Sequence, residues 1–162
     1  MSNVQKDKIL EMVRILIESE LTTLLKAAQS AHEDATHEES KPEDQYDTRG
    51  LEASYLAVAQ AQRAAELQQL LNTLKYLPLQ KFEKSDPIAI SALVELECDE
   101  LKTWYFIIPG GGGLSVTVDG KKVMVVTPQS PMGDSLLGRK AGDAFEVEAR
   151  GSSRDYEIVS VS

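Results

Sequence analysis

Cysteine is almost missing from this chain. Cys98 stands alone, which excludes an intrachain disulfide and any zinc cluster built on cysteines. No apolar run is long enough to cross a bilayer. The opening residues, Met-Ser-Asn-Val-Gln-Lys-Asp-Lys, are polar and lack the apolar stretch of a secretory signal, so the expected location is the cytoplasm. Bases are outnumbered, 17 against 26 acids, for a net charge of −9. With so few cations to neutralise phosphates, independent DNA binding is not expected. The four glycines at 110–113 are preceded by Pro109 and are not followed by Gly-Lys-Ser/Thr, so they read as a connection between strands and not as a phosphate loop.

What is present is unevenly distributed. The chain has 162 residues, enough for one large domain or two small ones, with an ordinary 42% hydrophobic and 27% charged content. Residues 33–52 hold eight acids and two bases, a net of −6, so the other 142 residues carry only −3. An even solvated coat does not concentrate charge in this way.

The acidic stretch lies between two helical patterns. Residues 4–36 contain no Pro or Gly, and Ile9, Val13, Leu16, Ile17, Leu24 and Ala28 recur at mostly three- to four-residue spacing. A second run is expected over 41–76, with Leu51, Tyr55, Val58, Leu67, Leu70, Leu71, Leu74 and Leu77 as its stripe. Its middle, 57–65, is rich in Ala and Gln, which favours helix and keeps the profile thin. Ser40-Lys41-Pro42-Glu43 fits a capping box with Pro in the first turn. Gly50 reads as a tolerated weak point or a close approach to the partner helix. Helices of roughly 30 residues are about 45 Å long, and a narrow stripe over that length predicts an antiparallel two-helix coiled coil. The acids then form its tip.

Pro78 closes the helical region, and 78–87 is a charged linker. Strand patterns follow at 88–97, 103–109, 123–127, 144–149 and 155–161, separated by turn residues, with a short helix expected between Ser130 and Leu137 and ended by Gly138. The expected division is a hairpin over 1–77, the linker 78–87 and a compact α+β domain over 88–162.

With these parts in place, Ser130-Pro131-Met132-Gly133-Asp134-Ser135-Leu136-Leu137-Gly138-Arg139-Lys140-Ala141-Gly142-Asp143 resembles the C-terminal signature of the Gre family of bacterial transcript-cleavage factors. The strands at 144–149 and 156–161 are similar to those that follow it, and Tyr46-Asp47 resembles the family's Glu-Tyr-Asp beside the hairpin tip. The resemblance implies an α+β chain with an N-terminal antiparallel coiled-coil hairpin and an FKBP-like C-terminal domain. It also implies a monomer that binds bacterial RNA polymerase. Docking falls to the C-terminal domain through Ser130, Pro131, Met132 and Gly133, and the tip enters the secondary channel. The tip acids Glu38, Glu39, Glu43, Asp44 and Asp47 act there on the polymerase's own active site, with Glu39 and Glu43 helping to hold Mg²⁺ within the complex, so the chain is not an enzyme alone. Carboxylate oxygens suit this hard cation, which binds through one or two of them when partner and substrate supply the rest.

The tip departs from the family pattern. Family factors carry an Asp and a Glu three apart, whereas Glu39 and Glu43 are four apart with Lys41 and Pro42 between. An inhibitor or regulator that occupies the channel without provoking cleavage therefore stands as the alternative. Taken singly, Glu43 and Asp44 also serve the positive end of the second helix, and Glu33 and Asp34 read as solvated charges. His32 and His37, five apart, and Arg49 read as exposed residues. Trp104, Tyr105 and Phe106 are expected to alternate between core and surface of a strand. An FKBP-type prolyl isomerase would need an aromatic-lined pocket from Trp104, Tyr105, Phe106, Phe145 and Tyr156, some of which must fill the core. A plain coiled-coil adaptor accounts for the stripes but not for the tip or the 130–143 signature.

Overall fold

The computed structural model describes residues 3–36 and 49–162. The expected Ser40 cap, Pro42, His37 and the acids Glu38, Glu39, Glu43, Asp44 and Asp47 lie outside the described residues. The chain is mixed α+β, with an N-terminal helical region and a C-terminal sheet. The elements are α1 (Asn3–Thr36), α2 (Arg49–Lys75), β1 (Leu93–Cys98), β2 (Leu101–Ile107), β3 (Ser115–Val118), β4 (Lys121–Val126), α3 (Pro131–Leu136), β5 (Ala144–Ala149) and β6 (Ser152–Val161). They form two compact units: Ile15–Asn72, and Met1–Arg14 together with Thr73–Ser162.

In the helical unit, Ile17 on α1 and Ala64, Leu67 and Leu71 on α2 are buried. Arg63 on α2 reaches Glu20 on α1 at 3.4 Å and Glu66 at 3.3 Å. The buried stripe differs from the one expected from sequence. Leu16, Leu51, Tyr55 and Val58 are exposed. Stepping back by sevens from Leu71 and Leu74 leads to Ala64 and Leu67, then to the half-buried Ala57 and Gln60, and from Ala57 to the half-buried Gly50. A helix with one neighbour buries only such a seam. In the distal half of α2 that seam is made of small or polar residues, and the large apolar ones are out of phase with it.

The second unit is built on a six-stranded sheet of order β3-β4-β2-β1-β6-β5. All pairings are antiparallel except β2 with β4. β3 was not expected from sequence. It is a four-residue edge strand that hairpins onto β4 through Asp119 and Gly120. One face carries the core of Val94, Leu96, Ile107, Val126, Phe145, Ile158 and Val161, joined by Ile88 and by Leu136 of α3. Ile158 and Val161 share that core although three apart, because the β1–β6 register shifts between Glu95 and Leu96 and leaves Val159 unpaired. By alternation the other face carries Leu93, Phe106, Val123 and Val125, all buried.

The first turns of α1 belong with this sheet unit. Lys6 is fully buried; its Nζ donates to the main-chain oxygens of Gln80 (2.5 Å) and Ser162 (3.1 Å) and lies 5.0 Å from the centroid of the Phe82 ring. Lys8 pairs with Asp119 at 3.9 Å, and Gln5 donates to the same carboxylate. The expected strand over 88–97 begins only at Leu93. Before it, Ile88 exchanges main-chain bonds with Gly138 and Arg139, and Ser91, at φ +73°, accepts from the Gln80 amide through its hydroxyl.

Candidate functional site

The signature segment starts where β4 ends. Ser130 caps α3 from an extended conformation, and its Oγ accepts from the Gly133 amide at 3.0 Å while donating to the Thr127 carbonyl at 2.8 Å. Pro131 occupies the first turn, where a missing N–H costs nothing. Gly133 is buried so close to Thr127 that a Cβ would lie 1.8 Å from its carbonyl oxygen. Asp134 at the same end of the short helix is exposed. The hydroxyl of Ser135 donates to the Pro131 carbonyl at 2.8 Å.

After α3 the backbone is anchored on two sides. The Gly138 amide donates to Ile88, and Gly142 and Asp143 exchange bonds with Ile158. The Asp143 carboxylate closes the turn by accepting from the Lys140 amide at 2.8 Å. Arg139 donates through Nε to the Ser135 carbonyl and lies 5.1 Å from the centre of the Phe145 ring, which stacks on Tyr156 at 5.6 Å. Of the four docking candidates, Ser130 and Gly133 thus have structural tasks in building the loop. Met132 packs partly against the core, and Pro131 is exposed at a fixed position. The tip acids lie outside the described residues, and among those described no group of three or more His, Cys, Asp and Glu is placed to hold a metal.

The five aromatic residues needed by an isomerase pocket divide between two faces. Tyr105, Phe145 and Tyr156 belong to the core on the α3 side, whereas Trp104 and Phe106 alternate to the other. Burial raises the Tyr105 hydroxyl above the ordinary tyrosine range, which suits a packing role. Two features escaped the sequence reading. Lys6 stands on the buried side of α1, four before Leu10 and seven before Val13, and a cation at such a position is the signal that was there to find. Lys121 beside Trp104 was hidden because the strands that bring them together are distant in sequence.

A description of the C-terminal domain of the GreA/GreB transcription elongation factors matches residues 113–162. The transcription elongation factor GreA of Mesorhizobium japonicum is 31% identical over 117 residues, covering 67% of this chain and 69% of that protein. The chain belongs to the GreA/GreB family. GreA of Rhizobium leguminosarum bv. trifolii is likewise 31% identical, over 118 residues, 68% of this chain and 70% of its own length. Among solved structures, Thermus aquaticus Gfh1 is 24% identical over 93% of this chain and 92% of that one, with a TM-score of 0.40. The match to residues 113–162 takes in the whole of the cap, turn and strand arrangement from Ser130 to Ile158, so the Gre signature and the local geometry describe one segment. No helix among the described residues of this Gre-family chain is long and apolar enough to cross a membrane.

Proposed function

We propose that this Gre-family chain binds bacterial RNA polymerase through its C-terminal sheet unit and acts by bringing an acidic hairpin tip to the polymerase active site, where it stimulates cleavage of backtracked RNA. The observation that carries this reading is the 31% identity to GreA over 69% of that protein. In this reading residues 1–77 work as an antiparallel coiled-coil hairpin, 78–87 as a linker and 88–162 as an FKBP-like docking domain. The heptad spacing of buried positions on α2 and the Arg63–Glu20 pair support the hairpin. The fixed presentation of Pro131 beside Met132 supports docking at residues 130–133, because a loop held by its own cap loses little freedom on binding.

The chemistry belongs to the polymerase, and the chain contributes carboxylates. Glu39 and Glu43 would hold Mg²⁺ jointly with the polymerase, with Glu38, Asp44 and Asp47 beside them. The metal, when bound, compensates charge on the reacting oxygens. The test is RNA shortening in a stalled, backtracked complex at several Mg²⁺ concentrations. Glu39→Ala and Glu43→Ala should each slow shortening, with partial rescue by added Mg²⁺, and leave polymerase binding nearly intact.

A second reading has its own observation, the four-residue spacing of Glu39 and Glu43 with Lys41 and Pro42 between them. In it the hairpin occupies the channel and restrains transcription without cleavage. Binding that blocks initiation or elongation but gives no shortening selects it. Absence of any binding to the polymerase rejects both.

A further inference from the structure

The parallel ladder between β2 and β4 begins only at Trp104 and Val123. Before it, Leu101, Lys102 and Thr103 pair with β1 alone, and Lys121 and Lys122 pair with β3 alone. The two stretches face each other across a notch of about 460 Å³ in the sheet, with Lys102, Trp104, Tyr105, Lys121, Lys122 and Met124 around it. Lys121 Nζ lies 5.0 Å from the centroid of the Trp104 ring. Lys102 is occupied by Glu95 at 3.8 Å, while Lys121 and Lys122 have no acidic partner among the described residues. Lys121 thus stands over a half-buried tryptophan at the notch, with Lys122 next to it in the chain.

We propose that this notch receives a short acidic segment of a protein partner, an Asp or Glu beside an apolar side chain. By alternation Lys121 and Trp104 share one face of the sheet and Lys122 and Met124 the other. An extended segment in the notch therefore sets its carboxylate against Lys121 beside Trp104 and its apolar neighbour against Met124, while the edge of 101–103 that β4 leaves open offers hydrogen bonds to the incoming chain. Tryptophan is the residue type most often found at the energetic centre of protein interfaces. A nucleic acid fits less well, because two cations neutralise few phosphates and the net negative chain repels a polyanion. The inference rests on the polymerase reading for the partner's identity. It adds a second contact at the end of β4 remote from residues 130–133, since Lys121 begins the strand and Val126 ends it.

Trp104 is the chain's sole tryptophan, so its emission reports on the notch directly. The experiment titrates the full chain with a tryptophan-free peptide of alternating Glu and Leu, and in parallel with a single-stranded RNA oligomer. The peptide should change Trp104 emission saturably and less so in high salt. Lys121→Glu/Lys122→Glu should weaken that response about tenfold or more. Lys121→Gln/Lys122→Gln, checked for an unchanged circular dichroism spectrum, should weaken it to a lesser degree. No response to the peptide, an equal response to RNA, or unaltered binding by folded variants overturns the proposal. Binding of wild type and variants to purified RNA polymerase separates the two readings. A wild type that fails to bind overturns the polymerase as partner while the peptide result still judges the notch. A wild type that binds no better than the variants removes the notch from the polymerase contact.

Discussion

Gly133 and Thr127 approach so closely that a Cβ on the glycine would stand 1.8 Å from the threonine carbonyl oxygen. That oxygen accepts from both the amide and the hydroxyl of Ser130. Gly133→Ala must therefore push α3 away from the end of β4 and break the cap, at a cost of about 3 kcal/mol or more. Ser130→Ala removes only the cap and should cost about 1 kcal/mol. Urea unfolding of the two variants checks the order, and equal small losses would mean that the approach is relieved without strain.

Burial lowers Lys6 from its ordinary 10.5 to about 8, with the charge of Asp7 opposing the shift. Between these values the unfolded chain binds more protons than the folded one, so stability should rise with pH from about 8 towards 10.5. Below about 8 the cost of burying the charge is present in full. The slope for one proton is at most about 1.4 kcal/mol per pH unit. Lys6→Met should remove this contribution, leaving a flatter profile in denaturant titrations across that window.

Asp99 and Glu100 join β1 to β2 with φ of +51° and +64°, a left-handed pair without glycine. Glu100→Gly should stabilise the chain by about 1 kcal/mol, because this region is costly for residues with a Cβ. A rise in Tm with an unchanged far-ultraviolet spectrum is the expected result.

On α2, Leu67 is buried whereas Val58 is exposed. Leu67→Ala should cost about 2–5 kcal/mol, and Val58→Ser should stay within about 0.5 kcal/mol. Similar losses at both positions would show that Val58 is covered in solution.

The contrast between Leu67 and Val58 also shows what was legible in the sequence. The apolar spacing revealed two helices, and Leu67, Leu71 and Leu74 already carried the phase of the buried seam. The distal half was misread because Leu51, Tyr55 and Val58 are large and obvious, while Gly50, Ala57 and Gln60 on the seam are not. Helix propensity and size do not report phase; only the heptad count does. In the sheet unit, Gly and Pro marked the turns, and Ser130-Pro131 marked α3 to within one residue at each end. β3 was missed because four residues, Ser-Val-Thr-Val, give too short a run to stand out beside a glycine stretch. The core-facing Ile158 and Val161 break simple alternation through a bulge that only pairing reveals. At the candidate site, chain-local features such as the Ser130 cap were readable. The burial of Lys6 and the meeting of Trp104 with Lys121 depend on contacts between distant segments.

Lys6 and Ser162 are 156 positions apart, yet Lys6 bonds the Ser162 main-chain oxygen. Ribosomes add about 5–20 residues per second, so roughly 8–30 s separate the synthesis of these two residues. During that interval Gln5, Lys6 and Lys8 lack the partners at Asp119, Gln80 and Ser162 that hold the first turns of α1 to the sheet unit. The last of these bonds, from Lys6 to the Ser162 main chain, forms only once β6 has emerged, so the N-terminal turn is fastened to the sheet unit late in synthesis.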